Sequence, residues 1–174
     1  PELPLSQGIV DEFESNGLKI FGVNKKASKF ESSKSFTKQF LDKYGIKTAG
    51  YLKTSDKNEA IFYAKDKLLE NNKVVIKRDG LAGGKGVYII DNLDDLNTTI
   101  EDIFSKDDLV VIEEYIDGFE MSLLCLTDSK TIIPLPTSKD HKKIYDKNLG
   151  PNTGGMGTYA PNIEAEALSL IHIW

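Results

Sequence analysis

The residue types that hold a phosphate come together in one stretch, VVIKRDGLAGGKGVYII at positions 74–90. Gly80, Gly83, Gly84 and Gly86 fall within seven residues, and Lys77 and Lys85 bring cationic side chains to the same place. Glycine tolerates φ > 0 and lets the backbone approach a ligand closely, so such a loop can aim N–H groups at an anion. The β-branched runs on either side, Val74-Val75-Ile76 and Val87-Tyr88-Ile89-Ile90, favour strands. The whole reads as a phosphate-holding hairpin. A glycine-rich hairpin with no ligand is the alternative on this loop alone.

Two other phosphate loops do not fit. A P-loop needs four residues between its first glycine and the Gly-Lys pair, then Ser or Thr; here Gly80 and Gly84 are separated by three, and Gly86 follows Lys85. A dinucleotide G-x-G-x-x-G loop opens a helix, whereas a strand is expected behind Gly86. A glycine loop between two strands matches the flap that covers nucleotide phosphates in protein kinases and in ATP-grasp enzymes.

Two further stretches carry chemistry. In LVVIEEYIDGFEMS (109–122), Glu113 and Glu114 end an apolar strand, where acids are costly unless exposed or paired. A strand edge at 113–116 could offer its backbone to an adenine edge, with Glu120 accepting from ribose hydroxyls; a strand emerging into solvent is the plainer reading. In TSKDHKK (137–143) and DKNLGPNTGGMG (146–157), Asp140 and His141 among lysines could bind a carboxylate or phosphate and handle a proton. Gly154, Gly155 and Gly157 again suggest backbone brought close to a ligand, beside Asn152 and Thr153.

The elements that must position these residues are legible in outline. Ser6 is expected to cap a helix ending at Asn16-Gly17, followed by a short strand at 18–21. A helix is predicted from Ser32 or Ser33, with Phe36, Phe40 and Leu41 on one face and a stop at Tyr44-Gly45. A strand at 51–53 leads to a capping-box start at Asp56 and Glu59, then a helix burying Ile61, Ala64, Leu68 and Leu69. Asp91 or Asn92 caps a helix with Leu93, Leu96, Ile100 and Ile103 facing inward. Strands are expected at 109–116, 120–126 and 131–136, with a turn at Asp128-Ser129, and a long functional loop over 141–161. Helices with hairpin-linked strands indicate an α+β fold with an antiparallel sheet.

Composition bounds the function classes. The 174 residues leave room for one domain and part of another. At 40% hydrophobic and 28% charged they match a soluble globular protein, and the net charge of −5 argues against a general nucleic-acid binder. No apolar run reaches membrane-spanning length, so neither nucleic acid nor membrane is expected as a partner. A single cysteine, Cys125 in an apolar run, is expected to be a buried thiol, and a cytoplasmic setting follows. Lys34, Lys77, Lys85, Lys139, Lys142, Lys143 and Lys147 fall in or beside the functional stretches, where a locally positive cleft would suit small phosphorylated ligands; for any one of them a solvated surface lysine is the plainer reading. The chain starts at Pro1 without Met, and its tail LSLIHIW (168–174) resembles a translated sequencing-library adapter. We therefore expect a fragment of a longer protein with a non-native tail at 168–174.

In this order, VVIKRDGLAGGKGV, VIEEYIDGFEMS and SKDHKK…GPNTGGMG resemble glycinamide ribonucleotide synthetases (phosphoribosylamine–glycine ligases) of the ATP-grasp superfamily. The opening PELPLSQGIVDEFESNGLKIFG and the ESSKSFTKQF helix fit as well, so the resemblance spans residues 1 to 167. It implies the tail of an N-terminal α/β domain at 1–29 and a partial ATP-grasp domain at 30–167. It also implies a reaction of purine biosynthesis: ATP phosphorylates glycine, and 5-phosphoribosylamine displaces phosphate to give glycinamide ribonucleotide. Another ATP-grasp carboxylate–amine ligase, or a non-catalytic nucleotide-binding module, are the competing readings.

By the same resemblance, Lys34 and Lys77 contact ATP phosphates beneath a lid of Gly80, Gly83, Gly84, Lys85 and Gly86. Glu113, Glu114, Tyr115 and Ile116 form the adenine hinge, Glu120 holds ribose, and Lys143 and Asn152 lie by the phosphates. Asp140, His141, Lys142, Thr153, Gly154 and Gly155 face the substrates. The sequence departs from the family pattern at Arg78 and Gly83, where alanine is usual, and at Lys143, where arginine is usual. The last change keeps charge but loses the bidentate fork. ATP with Mg2+ (or Mn2+) is the expected cofactor set, with the metal ligands beyond Gly157, so the fragment alone is expected to be inactive. A monomer is expected.

Overall fold

The computed structural model describes residues 2–106, 109–163 and 165. Pro4 and Glu2 suit a helical first turn, and the chain opens with α1 (Glu2–Gln7). Gly8, at φ 98, breaks it before α2 (Ile9–Ser15), which stops at Asn16 and the left-handed Gly17 as expected. Ser6 does not cap: it lies inside α1, its hydroxyl donating to the Leu3 carbonyl at 2.8 Å. Residues 18–21 form no strand. A strand must have its N–H and C=O groups answered by a neighbour, and the described sheets pair nothing with this segment.

A short helix, α3 (Lys29–Ser32), leads into α4 (Lys34–Lys43). The Ser33 hydroxyl caps α4 by accepting from the Phe36 N–H at 3.2 Å, and left-handed Gly45 follows its end. Phe36 and Phe40 pack edge-on against Phe30, with ring centroids 5.3 and 4.7 Å away. Next come β1 (Tyr51–Thr54), α5 (Lys57–Asn71), β2 (Val74–Arg78), β3 (Val87–Ile90), α6 (Leu93–Phe104) and β4 (Val110–Glu114). Asp56 caps α5 through the N–H groups of Asn58 and Glu59, but the Glu59 carboxylate accepts from the Thr54 hydroxyl instead of closing the box. Asn92 caps α6, accepting from the Asp95 N–H at 2.9 Å.

The four strands form one antiparallel sheet in the order β1-β4-β2-β3. Strand alternation sorts its two faces. Val74, Ile76, Ile90, Val110 and Ile112 meet Ala60, Ala64 and Leu68 of α5 and Leu96, Ile100 and Ile103 of α6 in one apolar core. Tyr51, Val75, Lys77, Val111 and Glu113 share the opposite face by register, where α4 contributes Lys38. Central β4 is buried from Val110 to Glu113, as expected. Two leucines expected inside are exposed, Leu69 at 78% and Leu93 at 47%, while Ile61 is only partly buried and Ala60 takes an inner position. Leu69 sits one residue, about 100°, round the helix from the inward Leu68, and Leu93 occupies the first position of α6.

These elements make up one compact unit, Pro1–Ile116; the second is Asp117–Trp174. In the second, β5 (Cys125–Thr127) and β6 (Ile132–Pro134) pair across the expected turn, where the Asp128 carboxylate accepts from the N–H groups of Lys130 and Thr131 at 3.0 and 2.7 Å. The strands are shorter than 120–126 and 131–136, and Ser122 makes only an isolated bridge to Ser138. All six paired residues are exposed, so Cys125 is not the buried thiol expected: a two-stranded ribbon covers neither of its own faces.

The stretch 141–161 is also more ordered than a loop. Lys139–Asp140 (β7) pairs with Thr158–Tyr159 (β10), and between them Lys143–Tyr145 (β8) pairs with Leu149–Asn152 (β9) across a 3-10 turn. Strands of two to four residues, one carrying Gly150-Pro151, are too short to show a period of two in sequence. Residues 168–174, the expected non-native tail, lie outside the described residues.

Candidate nucleotide and substrate sites

The glycine hairpin has the shape its composition asks for. Lys77 lies near the end of β2, and the loop is closed by Arg78 N–H to Gly86 C=O at 2.9 Å and Lys85 N–H to Ala82 C=O at 3.0 Å. Gly83 and Gly84 sit at φ 56 and 77, where a side chain is strained. Glycine at 83, one of the departures from the family pattern, therefore matches the backbone it occupies. Gly86 is needed for a different reason: a Cβ there would stand 2.6 Å from the Ala82 Cβ. Gly80 shows neither constraint.

The N-terminus of α4 is tied to the base of this loop through Asp79. Its carboxylate accepts from the Ser35 N–H at 2.6 Å and the Ser33 hydroxyl at 3.1 Å, answering orphan donors of a helix start. Its carbonyl accepts from the Lys34 N–H at 3.3 Å. This places the Lys34 ammonium on the Gly80 carbonyl at 3.0 Å and near the Asp79 carbonyl at 3.4 Å. Burial is the main force holding Lys34 below its usual 10.5; Asp79 opposes it, Lys77 pushes down again, Glu31 opposes, and Arg78 adds to the depression. Lys34, Lys77 and Arg78 thus crowd positive charge at the hairpin base.

The acids ending β4 do not emerge into solvent together. Glu113 is buried, and its oxygens are split between two lysines: Lys77 at 2.8 Å from Oε1 and Lys38 at 3.1 Å from Oε2. Glu114 reaches sideways, its Oε1 accepting from the Gly50 N–H at 2.8 Å while its own N–H donates to the Gly50 carbonyl at 2.9 Å. The Tyr115 ring lies under the Lys73 ammonium, 4.8 Å from the centroid, and Ile116 is 64% exposed. The first unit so brings Lys34, Lys77, the glycine loop and Glu113 to the base of one hairpin.

Within the second unit, the Thr153–Gly157 turn folds back on residues 140–142. Thr153 donates twice to the Lys142 carbonyl, from N–H at 2.7 Å and hydroxyl at 2.9 Å. The Met156 N–H donates to the His141 carbonyl at 2.6 Å, and the His141 N–H to the Gly157 carbonyl at 2.9 Å. Gly155, at φ 127, lies against Asp140: a Cβ there would be 3.1 Å from Oδ1, which also accepts from the Thr158 hydroxyl at 3.3 Å. The His141 and Tyr159 rings lie 5.7 Å apart. Asp140, His141, Lys142, Thr153, Gly154 and Gly155 are therefore neighbours. Lys142 forms an ion pair with Glu120, and Lys143 pairs in register with Asn152.

Two residues of this arrangement escaped the sequence reading, Lys38 and Asp79. Lys38 is one of many helical lysines, and nothing in its spacing marks it as buried. Asp79 looks like a loop acid, since its partner helix lies more than forty residues earlier in the chain. Among the described residues, no three His, Cys, Asp or Glu side chains gather in one place. No described helix is long and apolar enough to cross a membrane.

Known proteins match this architecture. A phosphoribosylamine–glycine ligase of Clostridium acetobutylicum is 49% identical over 168 residues, covering 93% of this chain and 40% of the relative. The crystal structure of a phosphoribosylamine–glycine ligase from Thermotoga maritima superposes with a TM-score of 0.67 at 35% identity, over 81% of this chain and 37% of that one. A D-alanine–D-alanine ligase from Bacillus anthracis, solved in complex with ATP, has a TM-score of 0.59 at 29% identity, over 78% of this chain and 44% of that one. The chain thus spans about 40% of the length of the curated relative it matches. A family model described as phosphoribosylglycinamide synthetase, ATP-grasp (A) domain, matches residues 32–171, and with the antiparallel sheet and its glycine hairpin this places the chain in that family: it is an ATP-grasp protein of the phosphoribosylglycinamide synthetase type.

Proposed function

We propose that this chain is the nucleotide-binding part of a phosphoribosylamine–glycine ligase working in the cytoplasm. The observation that carries the reading is the convergence of Lys34, Lys77 and the Gly83-Gly84 turn at one hairpin base, on a chain whose relatives bear that name. A glycine carboxylate oxygen attacks the γ-phosphorus of ATP, and the P–O bond to ADP breaks. The amine of 5-phosphoribosylamine then attacks the acyl carbon of glycyl phosphate. The C–O bond to phosphate breaks, the nitrogen loses a proton, and glycinamide ribonucleotide forms.

Such a site must neutralise triphosphate charge, keep water from the acyl phosphate and hold two nucleophiles in turn. Lys34, Lys77 and Lys85 answer the first need, and the hairpin of Gly80, Gly83, Gly84 and Gly86 the second. Backbone at Glu113, Glu114, Tyr115 and Ile116 takes the adenine, Glu120 the ribose, and Lys143 and Asn152 the phosphates. Asp140, His141, Lys142, Thr153, Gly154 and Gly155 take the remaining substrates, and Mg2+ bound with the nucleotide would neutralise phosphate charge.

Lys77→Ala tests the reading by calorimetric titration with ATP. Affinity should fall at least about tenfold, a loss of about 1.4 kcal/mol, while circular dichroism still reports a folded chain. Equal affinity in variant and parent removes Lys77 from the site.

A further inference from the structure

Lys38 lies outside every residue group assigned above, yet it is among the most buried charges described, at 6% exposed. An ammonium has three donors, and all are used: Glu113 Oε2 at 3.1 Å, Thr48 Oγ1 at 2.7 Å and the Ala49 carbonyl at 3.1 Å. The Tyr51 ring covers it, 5.3 Å from ammonium to centroid. A group so enclosed touches no ligand. Its effect passes through Glu113, whose other oxygen holds Lys77 at 2.8 Å.

The charge arithmetic of this cluster decides its role. With Lys77 alone, Glu113 would form a neutral pair and cancel the charge offered to an anion. Two ammonium groups on one carboxylate leave a surplus of one positive charge. Of the three side chains, Lys77 is 26% exposed, against 8% for Lys38 and 7% for Glu113, so the surplus reaches solvent at Lys77. Lys77 is only partly exposed, so salt screens this surplus less than it would the charge of a fully exposed lysine, and a phosphate arriving there feels it. A bridge serving stability alone needs no second lysine, and burying ions is a poor route to stability.

We infer that Lys38 is a positioning residue for phosphate binding: by occupying one oxygen of Glu113 it leaves Lys77 both fixed in place and positively charged toward the nucleotide. This deepens the nucleotide reading and rests on it. The register explains why the arrangement is possible. Val75 opposes Glu113 and Lys77 opposes Val111, so Lys77 and Glu113 are diagonal neighbours on the sheet face that also meets Lys38.

The test compares ATP with adenosine, which shares the base and sugar but lacks the phosphates. Both are titrated by calorimetry into the parent chain, Lys38→Met, Lys38→Gln and Lys38→Arg, with folding followed by circular dichroism. Lys38→Met should weaken ATP binding about tenfold and adenosine binding less than about twofold, and Lys38→Arg should keep ATP within about threefold of the parent. Where Met does not fold, Gln removes the same charge while keeping hydrogen-bonding capacity and should give the same selective loss. Unchanged ATP affinity, an equal loss for both ligands, or failure of both neutral variants to fold would assign Lys38 to stability alone and overturn the inference. A parent that binds neither ligand removes the nucleotide reading, and this inference with it.

Discussion

The ammonium of Lys34 is held by two backbone carbonyls at the hairpin base, with burial as the main force lowering its pKa from 10.5. The folded value lies below the unfolded one, so the unfolded chain binds more protons in that interval. Stability from this group therefore rises as pH climbs toward 10.5. ATP binding should run the other way. A phosphate beside Lys34 favours its charged form, so affinity falls as pH rises through the same window, where the ammonium is lost. Titrations at successive pH values should show this decline, and Lys34→Arg, which stays charged, should flatten it. The same slope in parent and variant would place the titrating group elsewhere. Gly83 adds a second lesson at this scale: alanine there would meet no neighbour within 4 Å, yet its φ of 56 makes the side chain the strained choice.

Among the elements, the turn that returns to β7 is the most constrained. Gly155 at φ 127 is needed for the N–H groups of 153 and 156 to reach the carbonyls of Lys142 and His141, and it faces the Asp140 carboxylate. A β-branched side chain would resist the dihedral and crowd that carboxylate. Gly155→Val should lower stability of this turn by about 1–3 kcal/mol. In the complete ligase it should cut product formation while ATP binding, read separately, stays near the parent's. Gly157, with an ordinary φ and nothing within 4 Å of a built Cβ, serves as the control: Gly157→Ala should stay within about 0.5 kcal/mol. Full ligase activity in Gly155→Val would remove this turn from the substrate site.

Across the whole molecule the two units differ in what holds them. The first has a closed apolar core between its sheet and two helices. The second is described as short hairpins whose apolar side chains, among them Leu124, Ile132 and Ile133, are largely exposed. Buried apolar contacts set how far a region opens below global unfolding. Amide hydrogen exchange should therefore be slowest in β2 and β4 and much faster across β5–β10, and uniform protection would contradict this division. Within the core, Ile100→Ala should cost about 2–5 kcal/mol, read by denaturant midpoint. Leu93→Ala, on the same helix but exposed, should stay within about 0.5 kcal/mol.

Local sequence was enough for several features that depend on neighbours in the chain: a helix start at Ser32 or Ser33, the cap at Asp56, a cap at Asp91 or Asn92, the stops at Gly17 and Gly45, the glycine hairpin between two β-branched strands, and buried β4. Each rests on dihedral preference or on a period of two or 3.6, which adjacent residues set. The order of the motifs along the chain likewise carries the family resemblance by itself. The same local signals misread the cap at Ser6 and the strand at 18–21. Tertiary structure alone decided the partners of charge. Nothing adjacent to Glu113 says that it will be shared by Lys38 and Lys77, or that Asp79 will cap a helix more than forty residues before it. It also decided which apolar residues are covered: Cys125 lies exposed on a two-stranded ribbon that covers neither of its faces, and periodicity cannot show that. Ion pairs and burial are long-range facts of the fold, and a single sequence records the residues that make them but not which ones meet.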